Sequence, residues 1–368
     1  MNGWFVVVGL SAGATACNSC RIEEVTTEPS EAEGSAIPEP VLVIEQMVRR
    51  HAGEPLSTVA VHTDGRIALF GQSGAFVVTS IGEESEDPPT QTASSPVMDA
   101  EWVADSIVGL ETAPAALVLW DSSAQEQARI ELPGDAVDLW ADDARGVVWT
   151  LTRVGGGAEV RAHAIIGQEL EPRLTHAIGG QPVGLYGAED VVYAPTFLDR
   201  TITAFSASDL VWKASTPVQS RPLFVHPMQD GFAVVGANAE LVELVRTSGG
   251  EELEMAQPQW IRELDGRTYA FTSGNSVLHR LDSETLEERT STEELGLVLD
   301  IASIDTGLAV IDAGNEASIA LLDPHSLELI AGRVAEGRPA TISATGPDTF
   351  VVVSPGEGMI TSYRVVLR

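Results

Sequence analysis

The side chains able to do chemistry in this chain are few, and their spacing decides most of what they can do. Both cysteines stand near the N-terminus, in Cys17-Asn18-Ser19-Cys20. That spacing suits a redox pair or a metal pair, but a c-type haem site needs histidine next, where the chain has Arg21. With both thiols there, the remaining chain has no disulfide, no cysteine nucleophile and no thiolate metal site. Gly9-Leu10-Ser11-Ala12-Gly13 matches GxSxG, the turn that lifts a hydrolase serine between a strand and a helix. Neither neighbour is present, so the match reads as chance. The seven histidines are His51, His62, His163, His176, His226, His279 and His325, and none form HxH, HxxxH or HExxH. Such spacings are what bring two imidazoles to one metal. Their absence leaves surface or strand-packing roles. Asp142-Asp143 and Glu83-Glu84 read as solvated loop charges, a weak calcium site being the alternative. No cofactor is expected, and no acid–base pair stands out that would mark an enzyme.

The charge narrows the partners. Over 368 residues there are 54 acidic and 21 basic side chains, a formal net charge of −33, and Lys213 is the single lysine. A field of that sign repels phosphate backbones and anionic headgroups, which excludes nucleic acid and general membrane-surface binding. Its direct use is solubility, and a monomer is expected. With 44% hydrophobic residues the chain can bury a large core.

Three stretches differ in kind. Residues 1–20 carry no charged side chain and pass from the apolar run Trp4–Leu10 into small residues, the pattern of a secretory signal. Ala14-Thr15-Ala16-Cys17 resembles a bacterial lipobox. The resemblance implies a lipidated Cys17 as the mature N-terminus and export to the bacterial cell envelope, with a soluble secreted or periplasmic protein as the alternative. The membrane would then be reached through the lipid anchor only. Residues 21–40, RIEEVTTEPSEAEGSAIPEP, are rich in glutamate and proline and form an extended tether.

From residue 41 to 368 one phrase recurs about every 40 residues. Its strands are GAFVVTS, ALVLWDS, AEVRAHA, RTITAFS, AELVELVR, SVLHRLD, SIALLDP and GMITSYRV, at 74–80, 116–122, 158–164, 200–206, 239–246, 276–282, 318–324 and 358–365. Each is preceded by a strand ending in an apolar run, and Asp64-Gly65, Asp230-Gly231 and Asp265-Gly266 supply two-residue turns. No helical period persists. A repeat of this length in short strands predicts an all-β fold, a β-propeller of four-stranded blades. Eight blades are counted; seven is the alternative, because the outer strand near 88–95 is poor. The last unit ends after three strands, and VLVIEQMV at 41–48 is spare, so it is expected to complete that blade.

Leu119-Trp120-Asp121, with Leu281-Asp282 and Leu322-Asp323 in the same slot, resembles the strand-ending signature of WD-repeat propellers. The Pro-then-strand openings Glu54-Pro55, Gln181-Pro182, Arg221-Pro222 and Arg338-Pro339 resemble bacterial periplasmic lactonase-like propeller repeats. Ser208-Asp209-Leu210-Val211-Trp212-Lys213 is similar to the tryptophan-docking turn of eight-bladed quinoprotein dehydrogenases. Trp102, Trp120, Trp140, Trp149 and Trp260 fall at other blade positions and read as inter-blade core. These resemblances imply a fold more than an activity. The expected function is an anchored binding or scaffold module for a protein or small-molecule partner. A lactonase-type hydrolase, or less so a quinoprotein-like dehydrogenase, is the alternative. In such a ring the residue before each innermost strand lies near the mouth of the central channel. Glu54, Gln181, Arg221 and Arg338 are therefore the candidate binding residues, the two arginines suiting an anionic group.

Overall fold

Each repeat folds as four antiparallel strands, and eight such sheets follow one another round a ring, a β-propeller. The computed structural model describes residues 41–80, 91–188, 190–237, 241–246, 249–255, 257–314 and 317–368. The signal-like segment, Cys17, the acidic tether and Glu83-Glu84 lie outside them. The innermost strands of blades one to eight are Leu56–Val61, Val97–Val103, Asp135–Asp142, Tyr186–Ala188, Pro222–Met228, Pro258–Leu264, Val298–Ile304 and Thr341–Gly346. The recurring phrase forms the third strand of every blade. The count of eight stands because the weak stretch near 88–95 does pair, through the two-residue strand Gln91–Thr92.

A blade's middle strands are covered on both faces by its neighbours, so they read as continuous apolar runs. Arg66–Gly71, Gly231–Gly236 and Thr349–Ser354 are buried at every position after the first. The hydrophobic core is divided accordingly. Among the described residues there are eight clusters, each filling the space between two adjacent blades. Phe70, Phe76 and Trp120 join blades one and two; Trp149 and Phe205 join three and four; Trp260 and Val310 join six and seven. No blade could bury these faces alone.

The spare strand closes the ring as expected. Leu42–His51 pairs antiparallel with Met359–Leu367 as the outermost strand of blade eight, and Val41 and Arg368 exchange both main-chain hydrogen bonds at 2.9 Å. Ile44 is buried against Tyr363 and Val365.

Two kinds of turn set the blades. Asp64-Gly65, Asp230-Gly231 and Asp265-Gly266 place glycine at positive φ between first and second strands. Between third and fourth strands, Asp282 and Asp323 accept main-chain amides with Oδ1, at 3.0 and 2.9 Å from Glu284 and Thr285 and at 2.8 and 2.7 Å from His325 and Ser326. The residue that follows in the left-handed region is Leu286 or Leu327, with φ of 58° and 60°. Leucine there is sterically costly, but both side chains are buried between blades, which offsets the cost.

One expectation changes in part. Asp142 is not solvated: it is buried and paired with Arg145 at 2.7 Å, whereas Asp143 is exposed, as expected, and its Oδ1 accepts the Ala104 amide of the preceding blade at 2.6 Å. They pin blade three to its neighbours, since Arg145 also reaches Asp190 of blade four at 2.7 Å. Trp212, outside the group read as core, lies exposed on the outermost strand Val211–Pro217 and stacks on His176 of blade three, ring centres 5.8 Å apart.

Candidate functional site at the centre of the ring

An innermost strand is a sheet edge, and its unpaired main-chain N–H groups face the centre of the ring. Buried amides need acceptors. Six of these strands have a register irregularity near their start, at Leu56/Thr58, Val97/Asp99, Ala136/Asp138, Pro222/Phe224, Pro258/Trp260 and Val298/Asp300. In blades two, three and seven the residue closing it is aspartate. Each Oδ2 accepts an amide on the innermost strand, or its lead-in, of the next blade: Asp99 from Leu139 at 3.2 Å, Asp138 from Leu185 at 2.6 Å, Asp300 from Ile342 at 2.9 Å. Two residues on, Glu101 Oε2 accepts the Ala141 amide at 3.3 Å. Glycine at 184 is required for one of these contacts, because a Cβ there would stand 2.9 Å from Asp138 Oδ2.

The result is a cluster of acids on blades two and three, one of which reaches blade four. Asp99 and Asp138 stand side by side, so that a protonated Asp99 can donate to the Asp138 carboxylate. Asp99 Oδ1 has no donor among the described groups, so the pair is satisfied only when one of its carboxyls is protonated. Burial, then the charge of Asp138, pushes the Asp99 carboxyl well up, and burial also raises Asp138. Glu101 is pushed up to about 8, mainly by burial. Beside them the Tyr186 hydroxyl donates to the Leu223 carbonyl at 3.0 Å, and burial raises it too. Farther round the ring Asp300 pairs with Arg262 of blade six, yet burial outweighs that cation and lifts its carboxyl. His226 is buried, and desolvation lowers it to about 4, so its ring is neutral at pH 7. Among the described residues no three His, Cys, Asp or Glu side chains come together as metal ligands.

The residues read from the sequence as channel-mouth candidates all precede innermost strands. Glu54 turns back to accept from Ser73 N and Oγ, at 3.1 and 2.6 Å. Gln181 is exposed, its carbonyl accepting the Phe197 amide at 2.7 Å. Arg221 lays its guanidinium over the Phe197 ring of blade four, 5.4 Å from the centroid. The Arg338 amide donates to Glu357 at 3.2 Å, and its side chain is exposed. Arg221 belongs to blade five and Arg338 to blade eight, so they flank the ring three blades apart. Sequence reasoning missed the aspartates. Their signal is an aspartate framed by apolar residues at one register of the repeat: Val97-Met98-Asp99-Ala100, Ala136-Val137-Asp138-Leu139 and Val298-Leu299-Asp300-Ile301.

No protein-family model matches the chain, and no curated protein does. Solved structures with the same architecture do. The computationally designed protein Ika8 is 12% identical, with a TM-score of 0.68 over 88% of this chain and 99% of its own. BamB from Moraxella catarrhalis is 12% identical, with a TM-score of 0.63 over 87% of this chain and 99% of its own. The C-terminal WD40 domain of Sif2 is 9% identical, with a TM-score of 0.66 over 89% and 99%. At these identities the likeness is one of fold: the chain is an eight-bladed β-propeller.

Proposed function

We propose that this protein is a binding or scaffold module of the bacterial cell envelope, held there by a lipid on Cys17. One observation carries the scaffold reading. The carboxylates Asp99, Glu101, Asp138 and Asp300, the groups best placed for chemistry, each hold a main-chain amide of the next blade. Groups so engaged stiffen the ring, and a stiff ring presents loops. The lipobox-like Ala14-Thr15-Ala16-Cys17 and the acidic tether that follows support anchoring with reach. The partner, a protein or a small molecule with an anionic group, meets the channel mouth at Arg221 and Arg338, beside Glu54 and Gln181. The test is crosslinking of the tagged full chain in its own membranes, followed by capture. A partner band that weakens in Arg221→Ala/Arg338→Ala, at unchanged melting temperature, supports the reading; a band indifferent to both arginines removes the site.

A propeller hydrolase is the second reading, favoured by one feature. Asp99 and Asp138 stand side by side with both carboxyls raised by burial, and a protonated and an ionised carboxyl so placed are what general acid–base hydrolysis uses. Saturable lactone or ester hydrolysis, lost in Asp99→Asn, would replace the scaffold reading.

A further inference from the structure

On the outer surface between blades five and six lies a half-open cavity of about 230 Å³, lined by Leu253, Glu254, Met255, Asn275, His279, Leu281, Leu286 and Glu288. It is smaller than the roughly 300–1,000 Å³ of sites for drug-sized molecules, so it admits one side chain or a short aliphatic group. Its lining is divided. Met255, Leu281 and Leu286 are buried and form an apolar wall, whereas Glu254 and Glu288 are exposed.

The two carboxylates differ in how they are held. His279 Nδ1 lies 2.6 Å from Glu288 Oε2, and because a carboxylate only accepts, that nitrogen carries the proton. Ser291 Oγ donates to Glu288 Oε1 at 3.2 Å, and His279 is braced from behind by Thr272 Oγ1 at 3.0 Å from Nε2. Glu288 is thus fixed before anything binds. Glu254, from the facing blade, has no hydrogen-bond partner among the described residues. A fixed carboxylate and an uncommitted one stand over an apolar wall, in a protein of net charge −33.

We infer that this cavity binds an alkylammonium group, its chain against Met255, Leu281 and Leu286 and its charged end between Glu254 and Glu288. A metal ion fits less well, since no three ligating side chains converge there among the described residues. An anion meets two carboxylates, and a neutral chain leaves Glu254 unanswered. The group has two sources, a free polyamine or a lysine side chain of a partner. The site is separate from the channel mouth, so its failure leaves the scaffold reading standing, and the reverse.

The experiment is calorimetric titration of the full chain in dilute buffer with n-pentylammonium, and with 1-pentanol as the uncharged match. Saturable binding of the ammonium at one site, and none of the alcohol at equal concentration, is the expected result. Glu254→Gln and Glu288→Gln should each weaken it by about tenfold or more, the scale of a lost charged hydrogen bond. Glu171→Gln, on the outer strand of blade three, should leave it unchanged. Glu254 is an exposed side chain, so its variant folds as the parent does. Spermidine binding more tightly than N-acetyl-lysine amide assigns a free polyamine; the reverse order assigns a lysine of a partner. No binding of pentylammonium, equal binding of pentanol, or an effect of Glu171→Gln as large as that of Glu254→Gln overturns the inference.

Discussion

The carboxylate of Asp300 on blade seven accepts the main-chain N–H of Ile342 on blade eight at 2.9 Å while pairing with Arg262 of blade six. One side chain thereby ties three blades. Asp300→Leu should cost about 3–5 kcal/mol, because breaking a buried pair leaves desolvated partners behind. Asp300→Asn keeps an acceptor for the Ile342 amide and should cost distinctly less. Chemical denaturation of the two variants measures the difference; equal losses would mean that the amide contact contributes nothing.

Glu111 at the end of a second strand is fully buried and grips Arg129 in a two-point pair, at 2.7 and 3.1 Å, while Ser94 N–H donates to it at 3.0 Å. Arg129→Met strands that buried carboxylate and should destabilise by about 3–5 kcal/mol. Adding Glu111→Gln should recover part of the loss. A double variant as unstable as the single one, in the same denaturation assay, would contradict this account.

Stability should fall as pH rises above about 6.5, the ordinary histidine range. Asp99, Asp138 and Glu101 hold their protons more tightly folded than unfolded, with Glu101 titrating near 8 instead of its usual 4.5. Between those values the native state binds more protons than the unfolded chain, so unfolding is favoured as pH increases. The contribution is complete below about pH 4 and is lost once pH passes the folded values, up to about 8 for Glu101. Melting curves from about pH 6.5 to 9 should slope downward; below that range His226, lowered to about 4 by burial, opposes the trend because the unfolded chain takes up its proton first. General acidic repulsion slopes the same way, so the decisive comparison is Glu101→Gln, which should flatten the upper part of the curve.

Ring closure depends on the strand Leu42–His51. Ile44→Ala should cost about 2–5 kcal/mol, the range for a large buried aliphatic. Removing residues 41–51 would bare the edge of blade eight and should promote aggregation, visible in light scattering. A deletion variant that stays monomeric with unchanged melting would mean the ring closes without it.

If Cys17 is lipidated, the wild type enters the detergent phase and Cys17→Ser does not. Each buried methylene of the acyl chains adds about 0.8 kcal/mol, so two chains hold firmly. Aqueous partitioning of both forms would dismiss the anchor.

The architecture was legible because a blade is a local phrase. Leu281-Asp282 and Leu322-Asp323 repeat the same turn chemistry, and a run such as RIALFG states its two-sided burial outright. Closure was legible from a shortage, three strands in the last unit and one spare at the start. The centre was not. Asp99 and Asp138 stand 39 positions apart, and only the ring brings them within hydrogen-bonding distance. A single aspartate in an apolar strand looks like a surface break until the next blade supplies its amide.

The paired ends of the ring make its seam arbitrary. Val41 and Arg368 sit on neighbouring strands, about 5 Å apart in the direction of their hydrogen bonds. A link of a few residues could join them without disturbing the ladder, and the covalent circle so formed could be reopened between the third and fourth strands of any blade. Each cut would give the same eight sheets in the same cyclic order with a different sheet shared between the new ends. The place of the seam is therefore a choice among eight nearly equivalent ones, and moving it would bring the ends of the chain out at a different sector of the rim.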